Sequence, residues 1–256
     1  MRYSKAELKA ALTLEQFPRA AHYDPEWMLE NRMGPNAIWL AEALSQVMDF
    51  RPGMHVLDMG CGKAISSIFL AREFKINVWA ADLWIDASQN WKRIQEAGLM
   101  NQVFPIHTEA HSLPFANGFF DAIVSLDAYH YFGTDDLYLG NIIQYLCPGG
   151  QIGIVVPGLV EEFADEVPAE LAPYWEWDFC SFHSPAWWRR HWGKTGLVTV
   201  ESADTVPDGW KHWLTWQEIC FAQGVITDQK EEEMLQIDGG RNLGFTRMVA
   251  RKKAVE

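Results

Sequence analysis

The heptapeptide VLDMGCG, residues 56 to 62, constrains this chain most, because an apolar run ends there in an acid and two glycines one residue apart. Val56 and Leu57 read as a buried strand, and Asp58, Gly60 and Gly62 as the turn after it. The following stretch, KAISSIFLA from Lys63 to Ala71, carries apolar residues at helical spacing. Strand, glycine turn and helix in immediate succession form the edge at which parallel sheets bind small ligands.

One ligand class that uses such an edge is the dinucleotides, as in an NAD(P)-dependent oxidoreductase. Their fingerprint, G-x-G-x-x-G, needs a third glycine for close helix packing and seats a pyrophosphate on the helix N-terminus. Counted from Gly60 and Gly62, that position is Ile65, and Lys63 is the one basic residue beside the turn. A β-branched side chain there holds the helix off the strand, so a nucleoside without a pyrophosphate suits the turn better.

Five stretches in order then resemble the class I S-adenosylmethionine-dependent methyltransferases. Val56 through Ala64 resembles their first motif. Asn77 to Ala81 reads as the second strand and ends at Asp82, about 20 residues past the glycines, where an acid hydrogen-bonds ribose hydroxyls. TEAHSLPF, from Thr108 to Phe115, resembles the segment along the adenine, with Glu109 at the acid position and Ala110 at the neighbouring backbone contact. FDAIVSLDAYHYF, from Phe120 to Phe132, is similar to the fourth strand and the loop beside the methionine part of the cofactor, and LCPGG, from Leu146 to Gly150, to the turn into the fifth strand. The resemblance implies S-adenosyl-L-methionine as cofactor, S-adenosyl-L-homocysteine as product, and cofactor contacts at Asp58, Gly60, Cys61, Gly62, Asp82, Leu83, Glu109, Ala110 and Ser125. Two positions depart from the pattern: Ala64 stands where many members carry a third glycine, and Lys63 where a small hydroxyl residue is common.

The rest of the chain fits an α/β, doubly wound Rossmann-like sheet of about seven strands. Elements alternate from about residue 54 to 156, which implies parallel strands with helical crossovers. The family resemblance adds an antiparallel last strand inserted between two others, here Leu243 to Arg251. Ser4 to Phe17 reads as an amphipathic helix capped by Ser4, and Gly34 to Met48 as a second helix. Between them, residues 22 to 36 are aromatic and turn-rich and are placed as a lid over the crevice, with Tyr23 and Trp27 as substrate contacts. A single domain is expected, divided into N-terminal helices and lid (1–50), cofactor core (51–156), substrate-side insertions (157–240) and final strand and tail (241–256).

Composition narrows the partners. A formal net charge of -13 argues against nucleic acid, whose binding depends on basic groups that neutralise phosphates. Arg189, Arg190 and Lys194 form one short basic cluster, read as a solvated helix face. No apolar run reaches the roughly 20 residues of a membrane helix, and the polar start MRYSKAELKA has no signal-peptide segment, so a cytoplasmic protein without stable membrane association is expected. Cys61, Cys147, Cys180 and Cys220 lie far apart with no C-x-x-C pair, and no metal site is expected. Eight of the 13 tryptophans fall between Trp175 and Trp216, read either as anchors of added helices or as an aromatic pocket.

The implied chemistry is in-line methyl transfer to a small-molecule acceptor, in which alignment supplies much of the acceleration. If the acceptor must lose a proton, His130 is the candidate base, since imidazole titrates near neutrality. Asp127 and Tyr129 beside it are candidate substrate contacts, Asp127 either orienting the imidazole or holding the cofactor's amino group. His183, His191 and His212 are placed where they could reach the acceptor. The alternatives are a cyclopropane-forming lipid enzyme, a noncatalytic nucleoside-binding protein and the oxidoreductase.

Overall fold

Seven strands hydrogen-bond into one sheet: β1 (His55–Met59), β2 (Asn77–Asp82), β3 (Val103–His107), β4 (Phe120–Leu126), β5 (Leu146–Leu159), β6 (Val198–Thr205) and β7 (Leu243–Lys252). The computed structural model describes residues 2–254. The strand order is β3-β2-β1-β4-β5-β7-β6. The first five strands pair in parallel, and β7 lies between β5 and β6, antiparallel to both. The expected doubly wound sheet with its inserted antiparallel strand is therefore present. Strand order reverses between β1 and β4, which puts the ligand crevice of an open α/β sheet over their carboxyl ends.

Nine helices pack around the sheet among the described residues: α1 (Lys5–Ala11), α2 (Pro25–Glu30), α3 (Ala37–Ser45), α4 (Ile65–Phe74), α5 (Ala87–Glu96), α6 (Tyr138–Ile143), α7 (Pro185–Gly193), α8 (Gly209–Ala222) and α9 (Lys230–Asp238). The pleat sends alternate side chains to opposite layers. Val56, Val124 and Val249 join one apolar cluster with α3, α4 and α8, whereas Leu57, Ile123 and Met248 join another with α6 and α7. Being covered on both faces, the central strands read as near-continuous apolar runs.

Several boundaries differ from the sequence reading. Ser4 does cap α1, in a reciprocal pair with Glu7, but the helix stops at Ala11. The Thr13 hydroxyl donates to the Lys9 carbonyl at 2.8 Å and takes up one acceptor of the final turn. The second helix begins at Ala37, because the Asn36 side chain accepts from the amides of Ile38 and Trp39. LCPGG is not a turn ahead of β5 but its first part: Leu146 already pairs with Phe120, and the register slips before Gln151 meets Ala122.

Helix α4 ends at Lys75, an exposed residue at φ 57°, in the left-handed region that disfavours side chains. Lys75→Gly should stabilise the protein by roughly 0.5–1 kcal/mol, seen as a thermal midpoint raised by about 2 °C. An unchanged or lower midpoint would show that this cap carries no strain.

Candidate functional site

A cavity of about 360 Å³ opens over the carboxyl ends of the strands, lined by Met59 from β1, Asp82 from β2, Leu126 from β4 and Pro157 from β5. That volume lies within the range of small-molecule sites. One half is built from the glycine turn and the segments after β2 and β3; the other from residues 31–37, the loop after β4 and side chains late in the chain.

The turn is fixed by its own backbone. The amides of Gly60 and Cys61 donate to the Ala81 carbonyl at 2.8 and 3.1 Å, and the Gly62 amide donates to Asp82 Oδ2 at 2.8 Å. These three donors are thus committed within the protein, so the turn lacks the ready amide cradle that a pyrophosphate uses. Gly60 is required twice over: its φ is +73°, and a Cβ there would lie 2.3 Å from Ala128 Cβ. Ala64, which departs from the family pattern, sits at φ 59° as the N-cap of α4. Lys63 donates to the Glu30 carbonyl at 3.0 Å and so ties the turn to the end of α2.

Asp82 also accepts from the amides of Trp84 and Ile85 at 2.8 and 2.9 Å. Three amide donors on a carboxylate with about four acceptor sites hold its plane fixed and leave capacity toward the cavity. Across the same half, Glu109 accepts from the His111 amide at 2.9 Å and pairs with its Nδ1 at 2.7 Å. That pairing, led by the His111 side chain, holds the Glu109 carboxyl below its ordinary value. Ala110 and the half-exposed Leu83 complete this wall. Cys61 lines the turn as a buried thiol whose pKa burial pushes up, with Asp58 and Asp82 adding to the rise.

Two residues expected at the cofactor face away from the cavity. Asp58 is fully buried, and its Oδ2 accepts from the hydroxyls of Ser66 and Ser67 at 2.7 and 2.6 Å, pinning the first turn of α4 to β1. Ser125 donates to the Met59 carbonyl at 2.7 Å and ties β4 to β1. Both shape the turn from beneath.

The second half holds His130, Tyr131 and Asp127 from the β4 loop, Arg32 from the segment before α3, Asp178, Phe179 and Phe182, Trp213 and Trp216 from α8, and Glu231 from α9. The His130 ring is 1% exposed and makes no hydrogen bond to any described residue. Burial pushes its pKa down to about 3. Asp127, at φ 54°, is moved well above the carboxylate range, first by burial and then by Glu231, with Arg32 opposing. Its Oδ2 lies where a Cβ on Gly34 would come within 2.2 Å, so Gly34 leaves the room that this carboxylate occupies. Asp127 does not pair with His130, so the expected orienting contact is not formed.

Tyr129 does not reach the cavity. It occupies a 3-10 turn with His130 and Tyr131, in which neighbouring side chains diverge by about 120°. Its ring packs instead against Tyr138, Trp188 and Trp192 on the opposite side of the sheet. Tyr23 and Trp27 also fall outside the lining: Tyr23 stacks on Trp27 and donates to Glu73 at 3.0 Å, anchoring the N-terminal segment to α4. Residues 31–35 of that segment, not its aromatics, form the cavity wall. His183 pairs with Glu162, His191 with the Gly133 carbonyl, and His212 packs between Phe17 and Trp39; none lines the main cavity.

The late tryptophans divide between both expected uses. Trp188 and Trp192 are fully buried anchors, whereas Trp213 and Trp216 face the cavity, their indoles donating to Glu231 and to the Gly34 carbonyl at 3.0 and 2.9 Å. Sequence reasoning missed Arg32, Asp178 and Glu231, which stand in no motif. The one available signal was charge set among aromatic residues, as in EWDFCSF from Glu176 to Phe182.

A doubly wound sheet with an inserted antiparallel strand, a glycine turn after β1 and an acid closing β2 is the arrangement of the class I S-adenosylmethionine-dependent methyltransferases, which the chain resembles in fold and in its central sequence. The sequence family described as "Methyltransferase domain" matches residues 56–150. Methyltransferase GfsG of Streptomyces halstedii is 28% identical over 134 residues, covering 50% of this chain and 48% of that protein. The 2-methyl-6-phytyl-1,4-hydroquinone methyltransferase of Synechocystis sp. is 28% identical over 188 residues, covering 68% of this chain and 57% of its own length. The chain thus spans about half the length of these curated relatives. In fold it is similar to geranyl diphosphate C-methyltransferase from Streptomyces coelicolor A3(2), solved with Mg2+, geranyl diphosphate and S-adenosyl-L-homocysteine, with a TM-score of 0.67, 16% identity and coverage of 83% of this chain and 79% of that one. Among the described residues no helix is long and apolar enough to cross a membrane.

The Asp58 carboxyl, raised by burial from 3.8 to about 6 against the two serine hydrogen bonds, gives a pH test. A raised folded value stabilises fully below the unfolded pKa and is lost as pH rises through the folded one. Relative to Asp58→Asn, the native chain should therefore lose on the order of 3 kcal/mol of unfolding free energy between about pH 4 and pH 7. Urea denaturation across that range measures it, and a constant difference between the two proteins would refute the shift.

Proposed function

We propose that this protein transfers the methyl group of S-adenosyl-L-methionine to a small-molecule acceptor, releasing S-adenosyl-L-homocysteine. The observation that carries the reading is the two-part cavity at the β1/β4 reversal, with a carboxylate, Asp82, held rigid on its wall by backbone amides.

In this reading Asp82 turns its remaining acceptor capacity toward the ribose hydroxyls, Gly60 and Gly62 allow close approach to the turn, and Glu109 with Ala110 borders the adenine. When bound, the cofactor supplies a methyl group made electrophilic by its sulfonium. The second half then holds the acceptor in line with that methyl, and its aromatic walls exclude water. His130 faces this space neutral at physiological pH. With its pKa near 3 it is a poor proton acceptor, so its role becomes a hydrogen-bond partner that orients the acceptor rather than the general base expected from its residue type.

Three features set the alternatives behind this one. The committed amides of the turn disfavour a dinucleotide. Arg189, Arg190 and Lys194 are exposed on and just after α7 and do not line the cavity, so this basic cluster does not lead a lipid toward it. The polar acceptor chamber goes beyond what a noncatalytic nucleoside binder requires.

Titration calorimetry with S-adenosyl-L-methionine, S-adenosyl-L-homocysteine and NADH tests the cofactor assignment, with the first two expected to bind and NADH to be ignored. Asp82→Ala should weaken cofactor binding at least tenfold, since each charge-assisted hydrogen bond lost is worth roughly 1.5–3 kcal/mol. Unchanged affinity in the folded variant, or a preference for NADH, would refute the reading.

A further inference from the structure

The second half of the cavity gathers more acids than the basic residue beside them can pair. Asp127, Asp178 and Glu231 come from three distant parts of the chain and line one space with Tyr131. The Tyr131 hydroxyl registers all three, its pKa raised to about 12 by burial first and then by Asp127, Asp178 and Glu231 in turn. Arg32 is the cation on this side, and among the described residues it makes no ion pair; its buried Nε has no hydrogen-bond partner. The chamber thus holds three carboxylates to one guanidinium.

Available acceptors lie in the same space. The Asp127 carboxylate makes no hydrogen bond to a described residue, and Asp178 Oδ1 is buried without a partner. Glu231 is engaged through Oε2 alone, by Trp213 and Gln217. The His130 ring, 1% exposed, adds an unpartnered imidazole to the same wall. Unpartnered buried polar groups cost free energy in an empty site, so each is a position where a ligand atom gains a bond without displacing a protein one. Phe182, Trp213 and Trp216 line the same space, and aromatic rings suit both cations and apolar bodies.

We propose that the acceptor is a cationic amine, its ammonium group held by Asp127, Asp178 and Glu231 and its apolar body lying on Phe182, Trp213 and Trp216. This rests on the methyltransferase reading of the site. A bound cation supplies the counter-charge that the three carboxylates lack and favours their ionised forms. The ammonium yields one proton to the Asp127 carboxylate. The freed nitrogen lone pair then attacks the methyl carbon, so that the N–C bond forms as the S–C bond breaks, and the products are the N-methylated ammonium and the thioether. Asp127 releases its proton to solvent after the products leave.

The test uses the full chain saturated with S-adenosyl-L-homocysteine and three probes of similar shape: 2-phenylethylammonium, 2-phenylethanol and 3-phenylpropanoate. Calorimetry should show the ammonium binding at least tenfold more tightly than the alcohol, and the carboxylate weakest. Asp127→Asn and Glu231→Gln should each reduce ammonium affinity at least tenfold while leaving alcohol affinity within about twofold, a pattern that misfolding would not produce. Equal or tighter binding of the alcohol or carboxylate, no binding of the ammonium, or variants that lose all probes alike would overturn the amine assignment. Failure of the protein to bind S-adenosyl-L-homocysteine at all would instead overturn the methyltransferase reading beneath it.

Discussion

The hold of one carboxylate on three backbone amides governs the geometry of the site. Asp82 closes β2 and gathers the amides of Gly62, Trp84 and Ile85, so the turn after β1 and the turn after β2 share one acceptor. Charge-assisted bonds of this kind are short and directional, and here they fix two loops that would otherwise move independently. The glycines make the arrangement possible, since Gly60 must pass Ala128 at a distance that no side chain allows. Asp58 then secures the same turn from below through Ser66 and Ser67, at the cost of a buried carboxyl.

That division of labour explains which parts of the molecule were legible in the sequence. The half of the cavity built on the glycine turn depends on local rules: an apolar run ending in glycines and an acid at a fixed offset each leave a mark within a few residues. The parallel part of the sheet followed because alternating elements with short connections admit few arrangements, whereas the inserted antiparallel strand was implied by the family resemblance. What local rules could not convey was the direction of individual side chains. Asp58 and Ser125 belong to the right motifs but bond inward, and Tyr129 is carried to the other face of the sheet by a 3-10 turn that adjacent His130 shares. Tyr23 and Trp27 are aromatic residues in the right segment, yet their rings anchor it to α4 while the backbone beyond them forms the wall.

The second half of the cavity is the least legible part, because its charges come from residues separated by most of the chain. Arg32, Asp178 and Glu231 have ordinary neighbours in sequence and acquire meaning only when α8 and α9 close over the β4 loop. Burial also altered the chemistry expected of residue types. The His130 imidazole, a candidate base by residue type, is held far below neutrality, and the Asp127 carboxyl, a candidate partner to it, is held far above its usual range.

The hydrogen bond from Trp216 to the Gly34 carbonyl joins residues 182 positions apart, and with it an early and a late segment meet over a cavity whose other half is nearly contiguous in sequence. Substitutions in residues 178–231 can therefore reshape the second half of the cavity while the glycine turn and the carboxylate that holds it stay as they are, so the selectivity of one half can change without rebuilding the other.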